Sequence, residues 1–201
     1  LRDRYSDALL VDMGSTTTDI IPLNAWDQLK GQTDYSRLKS RLLVYYGLLR
    51  TPVSSLLRTV DLEGSQVGIS TEYFACSGDA HVLVNLISSD EYTTATPDSC
   101  TPSREDCLRR MARMVCADVS EVGESAILNI AEAYIREEQL LITTTIRTVM
   151  EKYHCTRILA AGVGSGVLST WLDAIDLNQE MGSLSDAMPA WAVREAMLRT
   201  V

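Results

Sequence analysis

Between residues 12 and 19 the chain reads Asp12-Met13-Gly14-Ser15-Thr16-Thr17-Thr18-Asp19, a run of small and hydroxylated residues closed at each end by an acid. Ala8-Leu9-Leu10-Val11 before it is continuously apolar, as a strand buried on both faces requires. Ile20-Ile21-Pro22-Leu23 after it reads as a second strand. Pro22 cannot donate to a ladder and belongs at that strand's end or on an edge. The predicted hairpin places Asp12 and Asp19 together near its tip, where a hydrated Mg²⁺ fits between the two carboxylates. Gly14 lets backbone N–H groups approach a ligand with no Cβ in the way, and Ser15, Thr16 and Thr17 add hydroxyl donors. Phosphate donors beside a metal-holding acid are what polyphosphate binding requires, so Asp12 and Asp19 are the candidate metal ligands and catalytic acids. The competing explanation is a turn whose Asp and Thr side chains only satisfy their own backbone. Three consecutive threonines between two acids exceed what a turn needs.

Further along, Asn24 to Thr33 reads as a loop, Asp34 to Lys39 as a helical turn, and Leu42 to Tyr45 as an apolar segment broken by Gly47 and Pro52. Leu56 to Leu62 and Gln66 to Ile69 flank Glu63-Gly64-Ser65, a hairpin turn. Thr71 to Leu86 is expected to be helical with an interruption near Ser77-Gly78, and Ser88 to Pro102 to be a polar loop. Ser103 is an N-cap candidate, followed by Leu108, Met111, Ala112 and Val115 at helical spacing. A long helix over Glu124 to Tyr153 aligns Ile127, Ile130, Ala131, Tyr134 and Ile135 on one stripe, with Glu137-Glu138 on a solvated face. Thr156 to Ala161 is a second buried strand, leading into a Gly-rich turn and a helix through Leu168, Trp171 and Leu172. A last helix is expected over Pro189 to Arg199. These elements predict an α/β fold with a mixed sheet and flanking helices, in three stretches. Residues 1–70 form a β-rich phosphate-binding segment, 71–155 a helical segment, and 156–201 the closing strand, Gly-rich turn and helices of the same domain.

The Gly162-Val163-Gly164-Ser165-Gly166 turn follows a buried strand and opens a helix, a setting in which a nucleotide or pyrophosphate group meets backbone amides. Gly162, Gly164 and Ser165 are therefore nucleotide-side candidates, although a plain strand-to-helix junction has the same pattern and the dinucleotide fingerprint is missing. Arg50, between the breakers Gly47 and Pro52, could clamp a phosphate or be an ordinary surface cation. Cys76, Cys100, Cys107, Cys116 and Cys155 lack zinc spacing and read as reduced, structural thiols. Asp79 and His81, two apart on a helix, point in different directions, and Asp79 reads as a cap. The net charge of -9 argues against a nucleic-acid partner. No apolar run is long enough for a membrane span and the start has no signal peptide, so the chain reads as cytoplasmic, acting on a small phosphorylated substrate and compatible with a homo-oligomer.

With those residues in view, the chain resembles the hydantoinase/oxoprolinase family of the actin-like ATPase and sugar-kinase superfamily, and within it the subfamily linked to the tetrahydromethanopterin one-carbon pathway. Asp12 to Pro22 carries the likeness most specifically. Gly31-Gln32-Thr33-Asp34, the stretch from Val44-Tyr45 to Pro52-Val53, Glu72 to Ala75, Ala112 to Asp118 and Ala161 to Gly164 support it. The resemblance implies an actin-like (ribonuclease H-like) half and a metal-dependent transferase of methanofuran-type biosynthesis. Such an enzyme joins an aminomethylfuran diphosphate to a phenolic glutamyl-tyramine acceptor with loss of pyrophosphate, the Asp12–Asp19 turn and Mg²⁺ holding the diphosphate. The alternatives are an ATP-dependent kinase, a hydantoinase-like amidohydrolase and a non-catalytic nucleotide-binding module. Tyr46, Arg41-Leu42 and His81 depart from the subfamily pattern. Superfamily members have two similar halves, each with its own strand-turn-strand, and this chain has one such turn. It is therefore expected to be the second phosphate-binding half of a longer protein.

Overall fold

The computed structural model describes residues 4–181, so the helix expected at Pro189 to Arg199 lies outside the described residues. In chain order the elements are β1 (Ala8–Met13), β2 (Thr18–Pro22), a 3-10 turn (Leu23–Ala25), α1 (Trp26–Leu29), α2 (Asp34–Lys39), β3 (Leu43–Val44), β4 (Thr59–Leu62) and β5 (Ser65–Gly68). Then come α3 (Ser77–Leu83), α4 (Arg104–Ala112), α5 (Val119–Tyr153), β6 (Arg157–Ala161), α6 (Ser165–Trp171), β7 (Ala174–Asp176) and α7 (Leu177–Met181). They fall into two compact units that cut across chain order: one takes the described residues up to Tyr45 and from Ile142 onward, the other Tyr46–Leu141.

The first unit is built on a five-stranded mixed sheet in the order β3-β2-β1-β6-β7. Strand β1 sits at its centre, antiparallel to β2 and parallel to β6. A central strand covered on both faces has no position for a polar side chain, which is why residues 8–11 are all apolar and all buried. Leu9 and Val11 are fully buried, and Ala8 and Leu10 pack with Tyr5, Leu23, Leu159, Ala161 and Leu177. Pro22 ends β2, as its missing N–H demands. The mixed-sheet α/β fold expected from the sequence is present. Two details differ: the expected loop at Asn24 to Thr33 contains the short helix α1, and the three-residue edge strand β7 was too brief to carry a periodicity.

In the second unit β4 and β5 turn through Glu63 and Gly64, both at positive φ (53° and 79°), the backbone of a two-residue hairpin whose twist matches its strands. The helix expected from Thr71 starts at Ser77 instead. The Cys76 N–H donates to Asp79 Oδ2 at 3.0 Å and the Ser77 N–H to Thr51 O at 2.7 Å, so the preceding backbone is tied across to residues 51–53 and cannot coil. The apparent interruption at Ser77-Gly78 is the helix start, and Asp79 is its cap. A side chain at Gly78 would meet the Tyr92 ring at 2.7 Å, which explains the glycine. Ser103 caps α4 by accepting the Asp106 N–H at 3.2 Å. The stripe Ile127, Ile130, Ala131 and Tyr134 on α5 is fully buried.

A buried ion pair joins two of these helices. Arg110, 1% exposed, donates from Nε (2.9 Å) and Nη2 (2.7 Å) to Asp79 Oδ1, and from Nη1 to Asp98 Oδ1 (2.9 Å) and Thr101 O (3.2 Å). Breaking a buried pair from one side strands the other charge away from water. Arg110→Ala is therefore expected to cost about 3–5 kcal/mol in urea unfolding, whereas removing the exposed Arg136, 3.8 Å from Glu132, should cost less than about 1 kcal/mol.

Candidate functional site

The sheet register sets the site. Antiparallel pairing places Asp12 directly opposite Asp19, and Met13 opposite Thr18, leaving Gly14 to Thr17 as a four-residue tip. The Gly14 N–H donates to Thr17 O at 2.9 Å and closes the tip, so that amide is not offered to a ligand. Ser15, Thr16 and Thr17 are half-buried, with the Ser15 and Thr16 hydroxyls 3.5 Å apart, while Thr18 is buried.

Parallel pairing brings the second candidate turn to the same place. Asp12 pairs with Ala161, so β1 and β6 end together and Gly162 to Ser165 follows beside the hairpin tip. The Gly164 N–H donates to Met13 O at 2.9 Å. Gly162 has φ 80°, and a Cβ there would meet the Asp12 carboxylate and, at 2.6 Å, Met13 O; a Cβ at Gly164 would run into the Met13 side chain. Both glycines are thus required by the close approach of the turn to β1. Ser165 is buried, its hydroxyl accepting from the Asn178 amide. Ligands of open α/β sheets bind outside the carboxyl ends of parallel strands, which is where these two turns meet.

Of the other candidates, Asp19 is ion-paired with Arg37 of α2, and Arg37 Nη1 lies 3.2 Å from Asp34. Among the described residues no three Asp, Glu, His or Cys side chains gather as a metal-binding group. Arg50 is exposed and belongs to the second unit. Two open cavities also lie in that unit, one between the β4–β5 hairpin and α5, the other beside Phe74 and Asp118.

The second unit also holds a polar group that periodicity misplaced. Glu138, expected on a solvated face, is fully buried; only Glu137 is exposed. Glu138 follows Tyr134 by four residues and continues the apolar stripe of α5, the one signal that placed it inside. Its Oε1 accepts the Tyr134 hydroxyl at 3.2 Å, and its Oε2 lies 3.2 Å from His81 Nε2. His81 Nδ1 is 2.8 Å from Ser77 O and can only donate to it, so in the neutral ring Nε2 is left as an acceptor facing the Glu138 carboxyl. Burial acts in the same sense, raising Glu138 to about 8 and lowering His81 to about 4. Asp79 and His81 indeed face different partners. All five cysteines are free, and burial pushes the Cys76 and Cys107 thiols up to about 12, away from reactive thiolate. No helix among the described residues is long and apolar enough to cross a membrane.

Residues 2–198 match the hydantoinase/oxoprolinase family model, a span that includes both turns. The chain belongs to the hydantoinase/oxoprolinase family. Among characterised relatives of this family member is the (4-{4-[2-(gamma-L-glutamylamino)ethyl]phenoxymethyl}furan-2-yl)methanamine synthase of Methanocaldococcus jannaschii, 36% identical over 193 residues, covering 94% of this chain and 58% of the relative. A protein of the same name from Methanococcus vannielii is 33% identical over 179 residues, 89% of this chain and 81% of the relative. The chain thus spans little more than half the length of the first.

Two expectations follow from the geometry. Gly162→Ala should displace the turn from Asp12 and Met13 and cost at least about 1–3 kcal/mol of stability, read by chemical unfolding. The second concerns pH. Glu138 takes up a proton on folding, so its contribution is present below its ordinary 4.5 and lost as pH rises through about 8. The His81 contribution has the opposite sign, present above 6.5 and lost as pH falls through about 4. Between pH 6.5 and 8 only Glu138 of this pair changes, so stability should fall across that interval, and Glu138→Gln should flatten the profile.

Proposed function

We propose that this chain acts in methanofuran-type cofactor biosynthesis in the cytoplasm, as an enzyme that transfers an aminomethylfuran group from its diphosphate to a phenolic acceptor. The observation that carries the reading is the 36% identity, across nearly the whole chain, to a relative whose named product is an aryl ether between a glutamylaminoethyl-substituted phenyl ring and a furan methylene. Making that ether from a diphosphate forms the bond from the phenol oxygen to the furan methylene, breaks the methylene–oxygen bond to the diphosphate, and releases pyrophosphate and the phenolic proton.

The hairpin tip and the Gly162–Ser165 turn, side by side at the ends of β1 and β6, are the proposed diphosphate seat. Ser15, Thr16 and Thr17 contribute hydroxyl donors, and Gly162 and Gly164 let the second turn pass close against Asp12 and Met13. Asp12 would supply the carboxylate that, together with the substrate phosphates, holds a Mg²⁺ there, the usual way in which that ion is bound. When bound, it would neutralise charge building on the leaving pyrophosphate. Excluding water and holding the diphosphate in line with the acceptor remain the work of the chain's own residues.

The test is pyrophosphate release from aminomethylfuran diphosphate and glutamyl-tyramine in the presence of MgCl₂. Release that requires both substrates is the expected result, and Asp12→Asn should lower it about a hundredfold or more at unchanged melting temperature. Steady release of phosphate from ATP, with none of pyrophosphate from the furan substrate, would refute the reading in favour of a kinase.

A further inference from the structure

We infer that Arg37 is the guanidinium that contacts the anionic ligand at the hairpin tip, and that Asp19 positions it in place of holding a metal. The inference rests on the diphosphate reading of this site. Register places Asp12 and Asp19 directly opposite on one face of a strand pair, where two like charges repel. A diphosphate reaching this tip adds further negative charge. Arg37 brings positive charge to this tip, ion-paired to Asp19 through Nη2 and 3.2 Å from Asp34 through Nη1.

The placement of Arg37 is built into the backbone. Thr33 caps α2 by accepting the Ser36 N–H at 3.3 Å. The Leu42 N–H donates to Arg37 O at 2.8 Å, and the Ile20 N–H donates to Leu42 O at 2.9 Å. Two successive hydrogen bonds thus tie Arg37 to β2 at the residue after Asp19. A guanidinium has five N–H donors in a rigid fork. Two are used by Asp19 and Asp34, and the other three have no partner among the described residues. Arg37 and Asp19 are 26% and 30% exposed, open enough for a ligand and dry enough for the contact to count. Partial burial strips the guanidinium of hydration and holds its pKa below the ordinary arginine value, so a further anionic partner would be favourable there. The fork geometry suits the paired oxygens of a phosphate.

The experiment is calorimetric titration of the full chain with inorganic pyrophosphate over a series of MgCl₂ concentrations. The unaltered chain should bind, Arg37→Ala should weaken binding by about ten- to a hundredfold, and Arg37→Lys, which keeps the charge without the fork, should recover part of the loss. Asp12→Asn should shift the MgCl₂ midpoint, and Asp19→Asn should leave that midpoint in place while weakening binding a few-fold. Binding by Arg37→Ala within twofold of the unaltered chain overturns the assignment, as does an Asp19→Asn midpoint shift equal to that of Asp12→Asn. Failure of the unaltered chain to bind pyrophosphate overturns the diphosphate reading, and this assignment with it.

Discussion

Strand β1 is hydrogen-bonded on both edges, antiparallel to β2 and parallel to β6, and the first unit depends on that double pairing. Antiparallel pairing with the next strand forces a tight return, which makes the Gly14–Thr17 tip and sets Asp12 against Asp19. Parallel pairing with a strand almost 150 residues later in the chain brings a second turn to the same end of the sheet. Because β1 and β6 end level, Gly162 and Gly164 must pass the Asp12 side chain and the Met13 backbone at distances a Cβ cannot occupy. The glycines are therefore a consequence of sheet register as much as of any ligand.

That arrangement carries an electrostatic cost which the surrounding structure answers. Two carboxylates face each other across a strand pair, and the short helix α2 returns to place Arg37 on one of them. The result gives the two acids different surroundings. Asp12 stands against the glycine turn, while Asp19 is bound to a guanidinium. A symmetric metal clamp is the simpler picture from the motif alone, and it overlooks a cation 18 residues away that no local pattern connects to the hairpin. The second unit meets buried polarity in two ways: Asp79 and Arg110 are joined by hydrogen bonds as an ion pair, and His81 and Glu138 lie side by side where burial favours the neutral form of each.

What the amino-acid sequence determined was whatever depends on neighbours along the chain. The hairpin follows from an apolar run, a small polar tip and a second apolar run; the α4 cap follows from Ser103 three residues before Asp106; the long helix follows from Ile127, Ile130, Ala131 and Tyr134 at helical spacing. These features are short-range, and each was legible with its approximate boundaries. The family likeness was legible too, because it rests on the contiguous segment from Asp12 to Pro22.

Tertiary structure decided everything that needs two distant segments to meet. The start of α3 moved to Ser77 because Thr51 and Asp79 take up the backbone N–H groups there. Glu138 changed from a solvated residue to a buried acid because His81, 57 positions earlier, lies against it. The hairpin and the glycine turn came side by side only when β6 paired beside β1. Local propensity and periodicity are properties of a few successive residues, whereas burial, pKa and the partner of a charge are set by whatever the fold brings alongside. The chain alone therefore nominates a candidate turn, and only the packed sheet shows that its second acid, Asp19, is ion-paired with Arg37.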